Sequence, residues 1–154
     1  MAAAWEMTHS VETDAPSDVA WNYWTSIENW IDPPAEFELD GPFVEGARGV
    51  TRIPGQPPLH WVIRDMVPPE TATIETQLEG AILSFAWRFT GLADGGTRLT
   101  QHVELRGESA AAYVPQLDSI LRVTLPEGMK KIADRMATAA ALLDLARRSV
   151  EQGD

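Results

Sequence analysis

The chain has 154 residues, 23 of them acidic against 12 Lys and Arg, a formal charge of −11 and no cysteine. Such a charge speaks against nucleic acid, whose phosphates need Lys and Arg to neutralise them, and against an anionic membrane surface. The missing cysteines exclude disulfides, zinc–thiolate sites and a thiol nucleophile, and fit a reducing cytoplasm.

Met1 to Trp5 has neither the basic nor the apolar region of a signal peptide. No run approaches the ~20 apolar residues of a membrane span. The length predicts a single domain over residues 1–154. Trp5 to Thr13 alternates, with Trp5, Met7, His9, Val11 and Thr13 on one face and Glu6, Thr8, Ser10 and Glu12 on the other. That period of two predicts a strand with one dry face. Ala15-Pro16 opens a short helix whose inner stripe is Val19, Ala20, Tyr23, Trp24 and Ile27. A second short helix is predicted over Glu28–Ile31, ended by Asp32-Pro33-Pro34.

From Glu36 the signals are strands and tight turns. Phe37 and Leu39 alternate with acids, and Gly49–Ile53 is a short strand closed by the proline-rich Pro54–Pro58. Leu59–Val67 and the Thr- and Ile-rich Thr71–Leu78 follow. Leu83, Phe85, Trp87 and Phe89 alternate with Ser84, Ala86 and Arg88, then Asp94-Gly95-Gly96 marks a hairpin into Thr97–Arg106. Gly107–Ala112, rich in small residues, is expected to be a mobile lid over one end of the molecule.

The last third carries one apolar stripe in steps of three and four: Leu117, Leu121, Leu125, Met129, Ile132, Met136 and Ala140 among others. The spacing predicts a long helix from about Ala110 to Arg148. Pro126 removes a backbone hydrogen bond inside it, and Thr124 with Glu127 has capping-box spacing, so a restart is expected there. Gly128 falls on the inward side, where it costs about 1 kcal/mol against alanine. It is either a packing accommodation beside the kink or a void above a pocket. The order of strand, two helices, six strands and long helix predicts an α+β fold, a curved antiparallel sheet of six to seven strands around the long helix.

Several local stretches carry a likeness. Asp14-Ala15-Pro16 with Val19-Ala20-Trp21 follows the first strand, and Trp30 sits in the second helix. Gly95-Gly96-Thr97-Arg98-Leu99-Thr100 opens the last strand, and Leu125-Pro126-Glu127-Gly128-Met129 interrupts the long helix. In these and in element order the chain resembles the SRPBCC superfamily, START-like helix-grip domains that include polyketide cyclase/dehydrase-like proteins. The resemblance implies an apolar cavity between sheet and long helix, taking a lipid, polyketide, sterol or quinone. It equally allows an enzyme of the cyclase or dehydratase type, or a chaperone-activator type of interaction module with a filled cavity. It carries over no catalytic residue, because the matched motifs are structural.

If the alternation holds, Met7, His9, Val11, Ile74, Leu78, Phe85, Trp87, Leu99, Gln101 and Val103 share the concave face. Leu117, Leu121, Leu125 and Ile132 would roof it. The nominated ligand contacts are His9, Phe85, Trp87, Gln101, Leu117, Leu121 and Gly128, with His9 and Gln101 as candidates for chemistry. His9 is either a general acid–base or ligand-binding group, or a core histidine bonded to a neighbour. Gln101 either satisfies His9 or meets the ligand. His102, of opposite parity, points outward, and His60 lies on a strand distant in sheet order. With no tight ligand spacing, no metal site and no cofactor are expected. The expected partner is an apolar small molecule, with neither nucleic acid nor membrane insertion, on a monomer or homodimer.

Overall fold

In a computed structural model, which describes residues 2–152, the alternating segments are seven strands. They are β1 (Trp5–Thr13), β2 (Glu36–Leu39), β3 (Arg48–Arg52), β4 (Leu59–Val67), β5 (Thr71–Leu78), β6 (Ala81–Gly91) and β7 (Thr97–Arg106). They form one antiparallel sheet in the order β1-β7-β6-β5-β4-β3-β2. Helix α1 (Ser17–Trp24) and a 3-10 turn (Ile27–Asn29) follow β1, and α2 (Ala110–Gln152) ends the chain. This is the helix-grip fold.

The first and last strands are neighbours, because β1 pairs with β7 along its whole length, from Trp5↔Leu105 to Thr13↔Thr97. The register sorts the inward side chains into rows across the strands. His9, Gln101, Trp87 and Ala72 make one row; Met7, Val103, Phe85, Ile74 and Ile63 make the next. Parity therefore places on one face every sheet residue assigned there from the sequence. A bulge between Arg64 and Val67 interrupts β4, with Asp65 at φ 50.

Helix α2 buries Ala110, Leu125, Met129, Ala133 and Met136 against the sheet. Two hydrogen bonds clamp it to β1. The Trp5 indole N–H donates to Asp118 Oδ1 at 2.9 Å, and the Thr13 hydroxyl donates to the Ala133 carbonyl at 2.7 Å. His9 stands midway between the clamps on the strand, and Leu125 and Pro126 stand midway on the helix.

The structure departs from the sequence reading in three places. Helix α2 is continuous over 43 residues, with Pro115 and Pro126 inside it, so there is no restart at Thr124. A proline forfeits one backbone bond, and a helix already propagating on both sides, with Leu125 and Met129 buried, absorbs that loss. The second helix is a single 3-10 turn, ending before Trp30. The Gly107–Ala112 connection, expected as a lid, is instead helical from Ala110, which is buried. Ser109 N–H donates to the Gly80 carbonyl at 2.9 Å, and the Tyr113 hydroxyl donates to the Glu79 carbonyl at 2.7 Å.

Candidate functional site

One end of the concave face is filled by aromatic rings. Trp21, Trp24, Trp30, Phe37, Phe43, Trp61, Trp87 and Phe89 form a connected set from α1, the residue capping the 3-10 turn, β2, the loop after it, β4 and β6. Trp24, 3% exposed, is the hub, with centroids 5.1 Å from Trp87 and 5.2 Å from Phe43. Tilted and edge-on contacts of this kind add to the area the rings bury. Two of the five indole N–H groups are spent internally: Trp30 donates to the Trp24 carbonyl at 2.6 Å and Trp61 to Thr51 Oγ1 at 3.1 Å. Gly49, opposite Trp61 in the register, has no side chain because the Trp61 ring occupies that space.

Toward β1 the face is finished differently. Met7, His9 and Val11 point inward yet stay half-buried, as do Phe85 on β6 and Leu117, Leu121 and Ile132 on α2. Gly128 borders the same region, and a Cβ built on it meets nothing within 4 Å. No neighbour therefore requires a glycine at this position. Gln101 is 5% exposed. Among the described residues, no hydrogen bond joins it to His9, although the two are register partners. No fully enclosed side-chain N or O is left unpartnered there either. The Gln101 amide therefore keeps accessible surface and a free donor and acceptor.

The nominated residues thus divide. His9, Gln101 and Trp87 share one row, and Phe85 lies in the next. Leu117, Leu121 and Gly128 lie on the facing helix. Trp87 is packed against Trp24 and Phe89, so it can offer the hollow only a wall. His102 points to the opposite face, as parity requires. The sequence reading missed the aromatic hub, since the helical stripe turns Trp24 inward and strand parity turns Trp87 inward, but neither says that they meet. A separate groove of about 520 Å³ runs between α1 and the distal turns of α2, lined by Val19, Tyr23, Ala139, Leu142 and Leu143 with Asp18 and Arg147 on it. None of the nominated residues lines it.

Two carboxylates are electrostatically set. The Trp5 indole, then the Arg122 guanidinium 2.7 Å away, hold Asp118 below its usual range. The His102 imidazole, then Arg106, do the same for Glu104 on the outer face. Neither group reaches the hollow, whose polar members are the imidazole of His9 and the amide of Gln101.

The family model for polyketide cyclase / dehydrase and lipid transport matches residues 4–141. No curated protein matches the sequence. Solved structures share the fold at low identity. A norcoclaurine synthase point mutant from Thalictrum flavum, in complex with a transition-state analogue, superposes with a TM-score of 0.70 at 12% identity, over 94% of this chain and 99% of that one. The Zhui aromatase/cyclase from Streptomyces sp. R1128 gives 0.66 at 16%, over 86% and 93%. A conserved protein from Geobacillus kaustophilus gives 0.65 at 15%, over 88% and 97%.

Proposed function

The chain belongs to the polyketide cyclase / dehydrase and lipid transport family, and we propose from that premise that it holds an apolar small molecule, such as a lipid, polyketide or quinone, between sheet and α2. The observation that supports this reading is incomplete burial in the middle of the concave face. Side chains that point inward from β1, β6 and α2 remain half-buried, whereas a chain selected for packing alone closes such space to crystal-like density. Mostly apolar lining with a few convergent polar groups is the usual make-up of a small-molecule site. Met7, Val11, Phe85, Leu117 and Leu121 supply the apolar contacts, and His9 with Gln101 meets an oxygen on the ligand. The chain acts as a cytoplasmic monomer or homodimer without nucleic acid.

A second reading, a cyclase or dehydratase, draws on one further observation: His9 and Gln101 are direct register partners on an otherwise apolar face. An amide N–H donor can polarise a ligand carbonyl while the imidazole moves a proton beside it. The test is a titration with a fluorescent apolar probe, paired with native mass spectrometry of the purified chain. Saturable binding near one probe per chain, displaced by whatever the protein retains, supports the reading; no binding at all sinks it. Turnover that survives His9→Phe and Gln101→Leu would retire the enzyme version.

A further inference from the structure

On the convex face, directly behind the His9–Gln101 row, three donors converge. Glu6 and Glu104 are register partners on β1 and β7, and His102 lies two residues before Glu104 on the same face. Their ligand atoms all fall within 4.8 Å of one another. We propose that Glu6, His102 and Glu104 form a binding site for a divalent transition-metal ion of the zinc type.

The spacing is the first argument. Bonds of about 2.0–2.2 Å from zinc to N and O place neighbouring donors roughly 2.9–3.5 Å apart around the ion. His102 Nε2 stands 2.9 Å from Glu104 Oε1 and 3.6 Å from Glu6 Oε2. Only small side-chain rotations separate these atoms from a closed three-donor set. The second argument is orientation. Thr8 Oγ1 lies 2.6 Å from His102 Nδ1 and turns Nε2 toward the two carboxylates, the outer hydrogen bond that metal-ligating histidines use. The third is charge. Two carboxylates directly opposite each other on neighbouring strands repel, and the whole chain carries −11, so a cation there is favoured twice. Arg106 is the competing cation on this face, and it pairs with Glu104 Oε2, leaving Oε1 to face His102. An imidazole beside two carboxylates selects zinc-like ions over magnesium and calcium, which prefer all-oxygen shells. An ion binding at Nε2 takes the place of any proton there, which leaves to solvent. Donors on two strands also make the ion a tie between edge strand β1 and β7.

The experiment is a calorimetric titration of tag-free, chelator-dialysed protein with Zn²⁺, repeated with Co²⁺ to read the ligand field by absorption. One ion per chain is expected. His102→Gln should weaken binding tenfold or more, Glu6→Gln should weaken it measurably, and His60→Gln on β4 should change it less than twofold. Zn²⁺ should raise the melting temperature of the unmodified chain, reversibly with chelator, and leave that of His102→Gln unmoved. Absence of saturable binding, unchanged affinity in His102→Gln, or an equal loss in His60→Gln would each overturn the proposal.

Discussion

At the α1 end of the concave face, eight aromatic rings close on one another around Trp24; between β1 and α2, Met7, His9 and Val11 point inward and stay half-buried. Both regions arise from the same strand alternation, so pattern alone does not distinguish them. The difference lies in what faces the strands. Large rings from α1, from Trp30 after the 3-10 turn and from the loop after β2 descend onto β4 and β6. Above β1 the helix offers leucines, one isoleucine and a glycine. Stability is therefore expected to be concentrated in the ring cluster and ligand chemistry in the hollow, and variants in the two regions should fail in different ways.

The largest effect should come from the hub. Trp24→Ala removes a 3%-exposed indole that touches five other rings, at an expected cost of about 3–5 kcal/mol in denaturant unfolding. A loss below about 1 kcal/mol would show that the cluster is not where stability resides. Next is Gly49→Ala, whose new methyl must displace the Trp61 ring. Overpacking of this kind costs about 1–3 kcal/mol, and the same melt reads it.

The hollow should behave in the opposite way. His9→Phe keeps the ring volume and is expected to shift stability by about 1 kcal/mol or less, because no hydrogen bond to Gln101 is there to lose. Binding of a fluorescent apolar probe should fall tenfold or more, about 1.4 kcal/mol. A large stability loss with intact binding would make His9 a core residue and erase the contrast. Gly128→Ala should raise the melting temperature, since alanine gains up to about 1 kcal/mol in a helix interior and its methyl meets nothing. Gly128→Leu, reaching further into the same space, should reduce probe binding. A destabilised alanine variant would mean that the space at Gly128 is not open.

The smallest expected effect is at the clamp. Asp118 titrates below its usual range because the Trp5 indole and Arg122 favour its charged form. A depressed carboxyl contributes stability above its unfolded value of 3.8 and loses it as pH falls through the lower folded value. The stability gap between the unmodified chain and Asp118→Asn should therefore be full at neutral pH and shrink in that acidic window. A gap independent of pH would detach the clamp from the carboxylate.

Much of the scaffold was legible because sheet parity is a local property. Once Trp5, Met7 and His9 alternate with Glu6, Thr8 and Ser10, the inner face follows, and the β1–β7 pairing preserved it rung by rung. What stayed hidden depended on which strand lies beside which, and in what register. Glu6 and His102 are 96 positions apart, and only the rung Thr8↔His102 brings them together. Spacing rules for metal ligands read along one chain segment and pass over such a trio. The Thr124–Glu127 capping spacing misled for the converse reason, because a local end signal is overridden when buried neighbours on both sides hold the helix together.

The pairing of β1 with β7 also governs how the protein emerges from the ribosome. Trp5 finds its rung partner, Leu105, 100 residues later, and its helical clamp at Asp118 later still. At about 5–20 residues per second, the first strand waits roughly 5–20 s before any partner exists. Through that interval Trp5, Met7 and Val11 form an unpaired, alternating edge, the kind of segment that recruits neighbouring chains. Glu6 and Glu12 put two negative charges on its other face, a feature that discourages edge-to-edge pairing.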